Sequence, residues 1–208
     1  MVRAALTPNS SPLISSVEGN SWTIRPSIWR AQATAPRRAT ICIMAVTVRP
    51  LRDDEIRLYL QIHERAIRGL AASHYSQDAI EGWVVPATAE NVRRLTLNAD
   101  REIRLLAELN GRPVGIGALV LEASELRAVY VSPEGARQGC GSALVHEIEQ
   151  IARDGDVTRL TLHASLNAER FYSDLGYSAL ERTEVVLPND HRMAAVVMGK
   201  NLSGSVQF

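Results

Sequence analysis

The chain has 208 residues, 46% of them hydrophobic and 22% charged, with 23 basic and 23 acidic side chains and a formal net charge of zero. This is the composition of a globular domain with a substantial core, and it sets up no bulk field that would draw in nucleic acid or an anionic membrane. No apolar run approaches the roughly 18 residues of a membrane span, and two cysteines, Cys42 and Cys140, are too few for a disulfide framework, so a cytoplasmic protein is expected.

Residues 1–43 differ from the rest. They carry five arginines (Arg3, Arg25, Arg30, Arg37, Arg38) and one acid, Glu18, are rich in Ser, Thr and Pro, and show no sustained period. Three readings stay open: a disordered tail, a start assigned upstream of a true one at Met44, and an Arg-rich, acid-poor targeting segment. The expected division is an extension over 1–43 and a domain over 44–208.

From Met44 the pattern is regular. Val46 and Val48, stopped by Pro50, read as a strand, and Asp53 or Asp54 can cap the helix that follows, in which Ile56, Leu60, His63, Ile67 and Leu70 keep helical spacing. "SHYSQDAIEGW" predicts a short helix capped by Ser76, and "TAENVRRLTLNAD" offers a further one. "EIRLLAELNGRPVGIGALVLE" reads as a hairpin around Asn110-Gly111. Then come a strand ("SELRAVYVSP"), an amphipathic helix ("GSALVHEIEQIARDG"), a strand ("VTRLTLHAS"), a helix stopped by Gly176, and two strands ("GYSALERTEVVL", "HRMAAVVMGK"). The order β-α-α-β-β-β-α-β-α-β-β predicts an α/β (α+β) fold: a mixed, partly parallel sheet with helices on both faces.

The junction "YVSPEGARQGCGSALV", residues 130–145, puts Gly135, Gly139 and Gly141 between a strand and a helix. A helix N-terminus presents unpaired N–H groups and the positive end of its dipole, which attract phosphate, and glycine lets a ligand approach the backbone closely. A tight turn would explain the glycines equally well. Two nucleotide motifs fail here: Leu144 stands where the dinucleotide fingerprint needs its third glycine, and no lysine serves a P-loop.

"ELRAVYVSPEGARQGCGSALV" resembles the central signature of the GNAT N-acetyltransferase superfamily: a strand, Gln/Arg-x-x-Gly-x-Gly/Ala, then a helix. Gly139 and Gly141 take the glycine positions, and Ala136 departs from the Gln/Arg position. "LTLHASLNAERFYSDLGYSAL" resembles the family's next block through Tyr172, Leu175, Gly176 and Tyr177, with Ser165 where an asparagine is frequent and Asn167 two places on. The likeness runs over residues 46–200. It implies a centrally splayed sheet of about seven strands and acetyl-CoA as co-substrate. The pyrophosphate would rest on Arg137, Gln138, Gly139, Cys140, Gly141, Ser142 and Ala143, the pantetheine arm along Val129, Tyr130 and Val131, with Asn167 and Tyr172 nearby. Gly141→Val is expected to obstruct the pyrophosphate.

Acetyl transfer to an amine needs a group to take the amine's proton and one to protonate the leaving thiolate. The resemblance implies Tyr172 as the acid and Glu125, 11 residues before Ala136, as the base, with His163 or a water chain as alternatives. A packed core tyrosine and a solvated glutamate paired with Arg127 are the plain readings of the same residues. Cys140, at a helix N-terminus where thiols can ionise, reads as a small side chain whose N–H matters. His74, Tyr75 and Trp83 are candidates for an acceptor pocket, or for helix packing. No metal-ligand spacing is present. The expected function is N-acetyl transfer to a primary amine, on a small molecule or a protein, with an acyl-CoA-binding module that does not turn over as the alternative. Homodimers are common in the family; no nucleic acid or membrane partner is expected.

Overall fold

The structure, a computed structural model, describes residues 45–202; the expected extension over 1–43 and its boundary at Met44 lie outside the described residues. The alternating apolar segments form one seven-stranded sheet: β1 (Val46–Pro50), β2 (Ile103–Leu109), β3 (Arg112–Val120), β4 (Glu125–Val131), β5 (Arg159–Ser165), β6 (Ser178–Val186) and β7 (Arg192–Asn201), in the order β1-β2-β3-β4-β5-β7-β6. Five α-helices connect them: α1 (Ile56–Ala66), α2 (Gln77–Trp83), α3 (Ala89–Thr96), α4 (Cys140–Asp154) and α5 (Glu169–Asp174). The order of elements agrees with the sequence reading, with "TAENVRRLTLNAD" contributing a third helix before β2.

Period-two alternation along the strands divides the core between the two faces. On one face Leu105, Ala107, Leu119 and Leu126 pack with Leu144, Val145 and Ile148 of α4. On the other, Leu106, Ile116, Ala128 and Tyr130 pack with Ile62 and Ile67 of the first helical segment and Ile80 and Trp83 of α2. Each fully buried aliphatic side chain contributes roughly 1.5–3 kcal/mol. The sole lysine, Lys200, ties β7 to α4: its Nζ donates to both carboxylate oxygens of Glu149, at 2.7 and 2.8 Å, while Arg153 donates to the same carboxylate.

Local signals explain most element ends. Asn110 and Gly111 have φ of 52° and 75° between the paired residues Leu109 and Arg112, as a two-residue turn with left-handed backbone requires. Ser76 Oγ accepts the Ala79 N–H at the start of α2, and Thr88 Oγ1 accepts the Asn91 N–H at the start of α3. The expectation that Asp53 or Asp54 caps α1 is corrected. Both stay exposed in a single 3-10 turn, and it is Glu55 that accepts the Arg52 N–H at 2.9 Å while Arg49 and Arg52 hold its carboxylate. Beyond Ala66, α1 continues as a π-helical turn over Ile67–Ala71, a geometry often found at functional sites.

The sheet is antiparallel except between β4 and β5, which run parallel and share one register pair, Glu125 with Thr161. From there β4 pairs with β3 as far as Val131, and β5 pairs with β7 as far as Ser165, but not with each other. The facing edges of the two strands diverge and leave a cleft that opens toward α4 and α5.

His63, 8% exposed, packs its ring edge-on against Tyr130 at 4.5 Å, and its Nδ1 has no hydrogen-bond partner among the described residues. Burial pushes its imidazole down to about 3 from the ordinary 6.5. The unfolded chain takes up this proton below pH 6.5, whereas the folded chain does so only near 3. Stability is therefore indifferent to this group above 6.5 and falls as the pH drops from 6.5 toward 3. We expect His63→Leu to remove that part of the acid sensitivity, seen as a flatter dependence of the urea midpoint between pH 7 and 4. Equal slopes in variant and wild type would contradict a buried neutral imidazole.

Candidate active site

A cavity of about 600 Å³ occupies the cleft. Val129, Tyr130 and Val131 of β4 line one side, and Ser165, Asn167, Ala168, Phe171 and Tyr172 line the other. The start of α4 contributes Arg137, Gly139, Gly141 and Ser142, the helical segments contribute Ala66, Ile67, Leu70, Ala71 and Trp83, and the turn before α2 contributes His74.

The β4–α4 junction is built to leave backbone donors free. Arg137 and Gly139 have φ of 60° and 82°, so successive N–H groups converge into a concavity. The N–H groups of Arg137, Gly139, Cys140, Gly141 and Ser142 find no backbone acceptor among the described residues, and no side chain caps α4. A Cβ on Gly139 would meet nothing within 4 Å, so that glycine serves the left-handed φ. Gly141 is different: a Cβ there would lie 3.1 Å from Cζ of Phe171 and 3.3 Å from its Cε2. Gly141 therefore makes room for Phe171, which forms part of the cavity wall. A side chain added at Gly141 would press on Phe171 as well as enter the cavity that Gly141 lines.

The sequence candidates divide as follows. Val129, Tyr130, Val131, Arg137, Gly139, Gly141, Ser142, Asn167, Tyr172, His74 and Trp83 come together around the cavity. Gln138 and Ala143 do not line it, and their N–H groups are engaged by the carbonyls of Gly135 and Gly139, at 3.3 and 2.9 Å. The Cys140 side chain is fully buried in the core beneath α4, where burial pushes its thiol up. Tyr75 is not on the cavity wall. Its hydroxyl donates to the Ala194 carbonyl at 2.9 Å and accepts the Leu166 N–H at 2.7 Å.

Glu125 is not brought to the cavity. It opens β4 at the closed end of the cleft, six residues before Val131, or up to about 20 Å along the strand. Its carboxylate accepts two hydrogen bonds from Arg127, at 2.8 and 3.1 Å, and Arg127 also reaches Asp100 at 2.8 Å. His163 is likewise absent from the lining.

Tyr172, 1% exposed, packs between Phe171 and Tyr177, and its hydroxyl makes no hydrogen bond among the described residues. Burial raises its phenol well above the ordinary 10, so it stays protonated. Asn167 presents a buried Oδ1 without a partner, beside a long contact of 3.5 Å from its Nδ2 to the Leu70 carbonyl. Sequence reasoning did not place Phe171 or the π-helical turn at the site, and it named Ser165 only as standing where the family frequently has an asparagine. The available hint was Leu70, an apolar residue in helical register that the fold leaves 38% exposed.

Comparison with known proteins agrees with this geometry. Residues 71–187 match a family profile described as an acetyltransferase (GNAT) domain. The chain is 24% identical over 156 residues to an uncharacterised N-acetyltransferase of Methanocaldococcus jannaschii, a match that covers 69% of this chain and 64% of the relative's length. A GCN5-related N-acetyltransferase from Rhodopseudomonas palustris, whose structure also carries the description class-II aminotransferase, superimposes with a TM-score of 0.69 at 26% identity, over 76% of this chain and 98% of the other. The PaiA N-acetyltransferase of Thermoplasma acidophilum, solved with coenzyme A, shares the fold with a TM-score of 0.60 at 18% identity, over 76% and 99% of the two chains. The chain belongs to the GNAT acetyltransferase family. Among the described residues no group of three or more His, Cys, Asp or Glu side chains is placed to hold a metal, and no helix is long and apolar enough to cross a membrane.

We expect Gly141→Val to destabilise the domain by about 1–3 kcal/mol through overpacking against Phe171. Gly139→Ala should cost about 1 kcal/mol through the left-handed backbone alone. Thermal melts of the two variants check this ordering, and a Gly141→Val protein as stable as wild type would contradict the close Phe171 contact.

Proposed function

We propose that the chain is an acetyl-CoA-dependent N-acetyltransferase acting on a primary amine of a small molecule or a protein. One observation carries the reading most of the way. Five unengaged N–H groups at a helix N-terminus and the unpaired edge of β4 open on the same cavity. A pyrophosphate joined to an extended amide-bearing arm satisfies both sets of groups at once. The family match and the coenzyme A bound to the Thermoplasma acidophilum neighbour support it.

On this reading Arg137, Gly139, Cys140, Gly141 and Ser142 hold the pyrophosphate through their N–H groups. Val129–Val131 pair with the arm as a sheet edge pairs with a peptide. Acetyl-CoA supplies an activated acyl carbon, which the neutral amine nitrogen attacks, and the C–S bond breaks. Tyr172, kept protonated by burial, donates its proton to the leaving sulfur. Since Glu125 is held by Arg127 outside the cavity, we assign removal of the amine's proton to His74, the one imidazole among the lining residues. Ser73 Oγ lies 2.9 Å from His74 Nδ1 and orients the ring. A cytoplasmic location belongs to the same proposal.

Thiol release with a panel of primary amines tests the reaction. Tyr172→Phe should lower kcat tenfold or more with the acetyl-CoA dissociation constant nearly unchanged. His74→Ala should lower kcat/KM by about 100-fold. Normal turnover in either variant removes that residue from its assigned role.

A further inference from the structure

Past Thr161 the strands β4 and β5 share no register pair, so no sheet ladder sets the width of the cleft between them. Three aromatic residues span it instead. Tyr130, on β4, accepts the indole N–H of Trp83 at 3.0 Å. The Trp83 ring meets the Tyr75 ring at 5.6 Å and 80°. The Tyr75 hydroxyl then accepts the N–H of Leu166, the residue that follows β5, and donates to Ala194 on β7. At the β4 end, His63 packs edge-on against Tyr130. Tyr130 and Trp83 are 8% and 3% exposed, and such rings have few rotamers to exchange once packed.

We propose that Tyr75 is a positioning residue, the end of a Tyr130–Trp83–Tyr75 strut that holds β4 and β5 apart at a fixed width. The strut keeps the β4 edge open for a ligand, and it aligns Asn167 and Tyr172 beyond β5 with Val129–Val131 on β4. The catalytic consequence rests on the acetyltransferase reading; the strut itself does not. Both hydrogen bonds at the far end depend on one phenol, so Tyr75→Phe keeps the ring and cuts the connection. Leu166 then loses its acceptor, Ala194 loses its donor, and the β5 side of the cleft is free to shift.

The test uses the full-length chain with Tyr75→Phe, Trp83→Phe and the double variant. Amide exchange at Leu166 should accelerate about tenfold or more in Tyr75→Phe, the equivalent of one lost hydrogen bond, with the β2–β3 amides unchanged. Acetyl-CoA should bind about tenfold more weakly in each single variant. The double variant should lose no more than either single one, because all three break the same connection. Additive losses, or unchanged Leu166 exchange and acetyl-CoA affinity in Tyr75→Phe, overturn the proposal. Faster exchange with undiminished affinity overturns the positioning role. Should Trp83→Phe fail to fold, Tyr75→Phe decides alone. If the wild-type chain binds no acetyl-CoA, the functional reading falls and Leu166 exchange still judges the strut.

Discussion

Everything at this site depends on two parallel strands that meet once and then part. Glu125 and Thr161 are the only register pair between β4 and β5. Past that point each strand is held from its outer side, by β3 and β7, and neither satisfies the other's backbone. An unpaired edge inside a sheet is a cost unless something fills it. The fold places a helix N-terminus with free donors at the mouth of the same gap, so one extended anionic ligand can satisfy both.

The ion pairs support this arrangement from outside the cavity. Arg127 gathers Glu125, Glu102 and Asp100 at the closed end of the cleft, where β4 and β5 still touch. Glu149, fully buried, joins Lys200 of β7 to α4 on the other side of the sheet. A buried carboxylate is tolerated only when its charge is matched, and here the matching fixes α4 against the strand beside β5. The helix whose N-terminus forms the cradle is thus anchored along its length by Leu144 and Ile148 and, further on, by Glu149.

Much of this was legible in the sequence. The Asn110-Gly111 turn, the amphipathic period of α4 and the glycines at 139 and 141 are local features whose physics needs no tertiary context. The resemblance to the GNAT family rested on Gly139 and Gly141 and, in a second block, on Tyr172, Leu175, Gly176 and Tyr177. What could not be read was anything decided by side-chain direction across the sheet. The resemblance made Glu125 a candidate base and the plain reading paired it with Arg127, but its burial and its place at the closed end depend on strand register. Tyr75 was a candidate for an acceptor pocket or for helix packing, and its hydroxyl is turned toward Leu166 and Ala194. Gly141 lines the cavity, but its second constraint, the close approach of Phe171 30 residues later, could not be read from the sequence. The cap expected from Asp53 or Asp54 gave way to Glu55, which two arginines had already drawn inward.

The most direct test of the central claim is amide hydrogen exchange of the full-length chain with and without acetyl-CoA. The account predicts that ligand protection falls on two separated segments, residues 129–131 and residues 137–142, with Gln138 changing least because its N–H is already engaged. Protection confined to other segments, or none at saturating ligand, would contradict the assignment of the free backbone donors to the coenzyme.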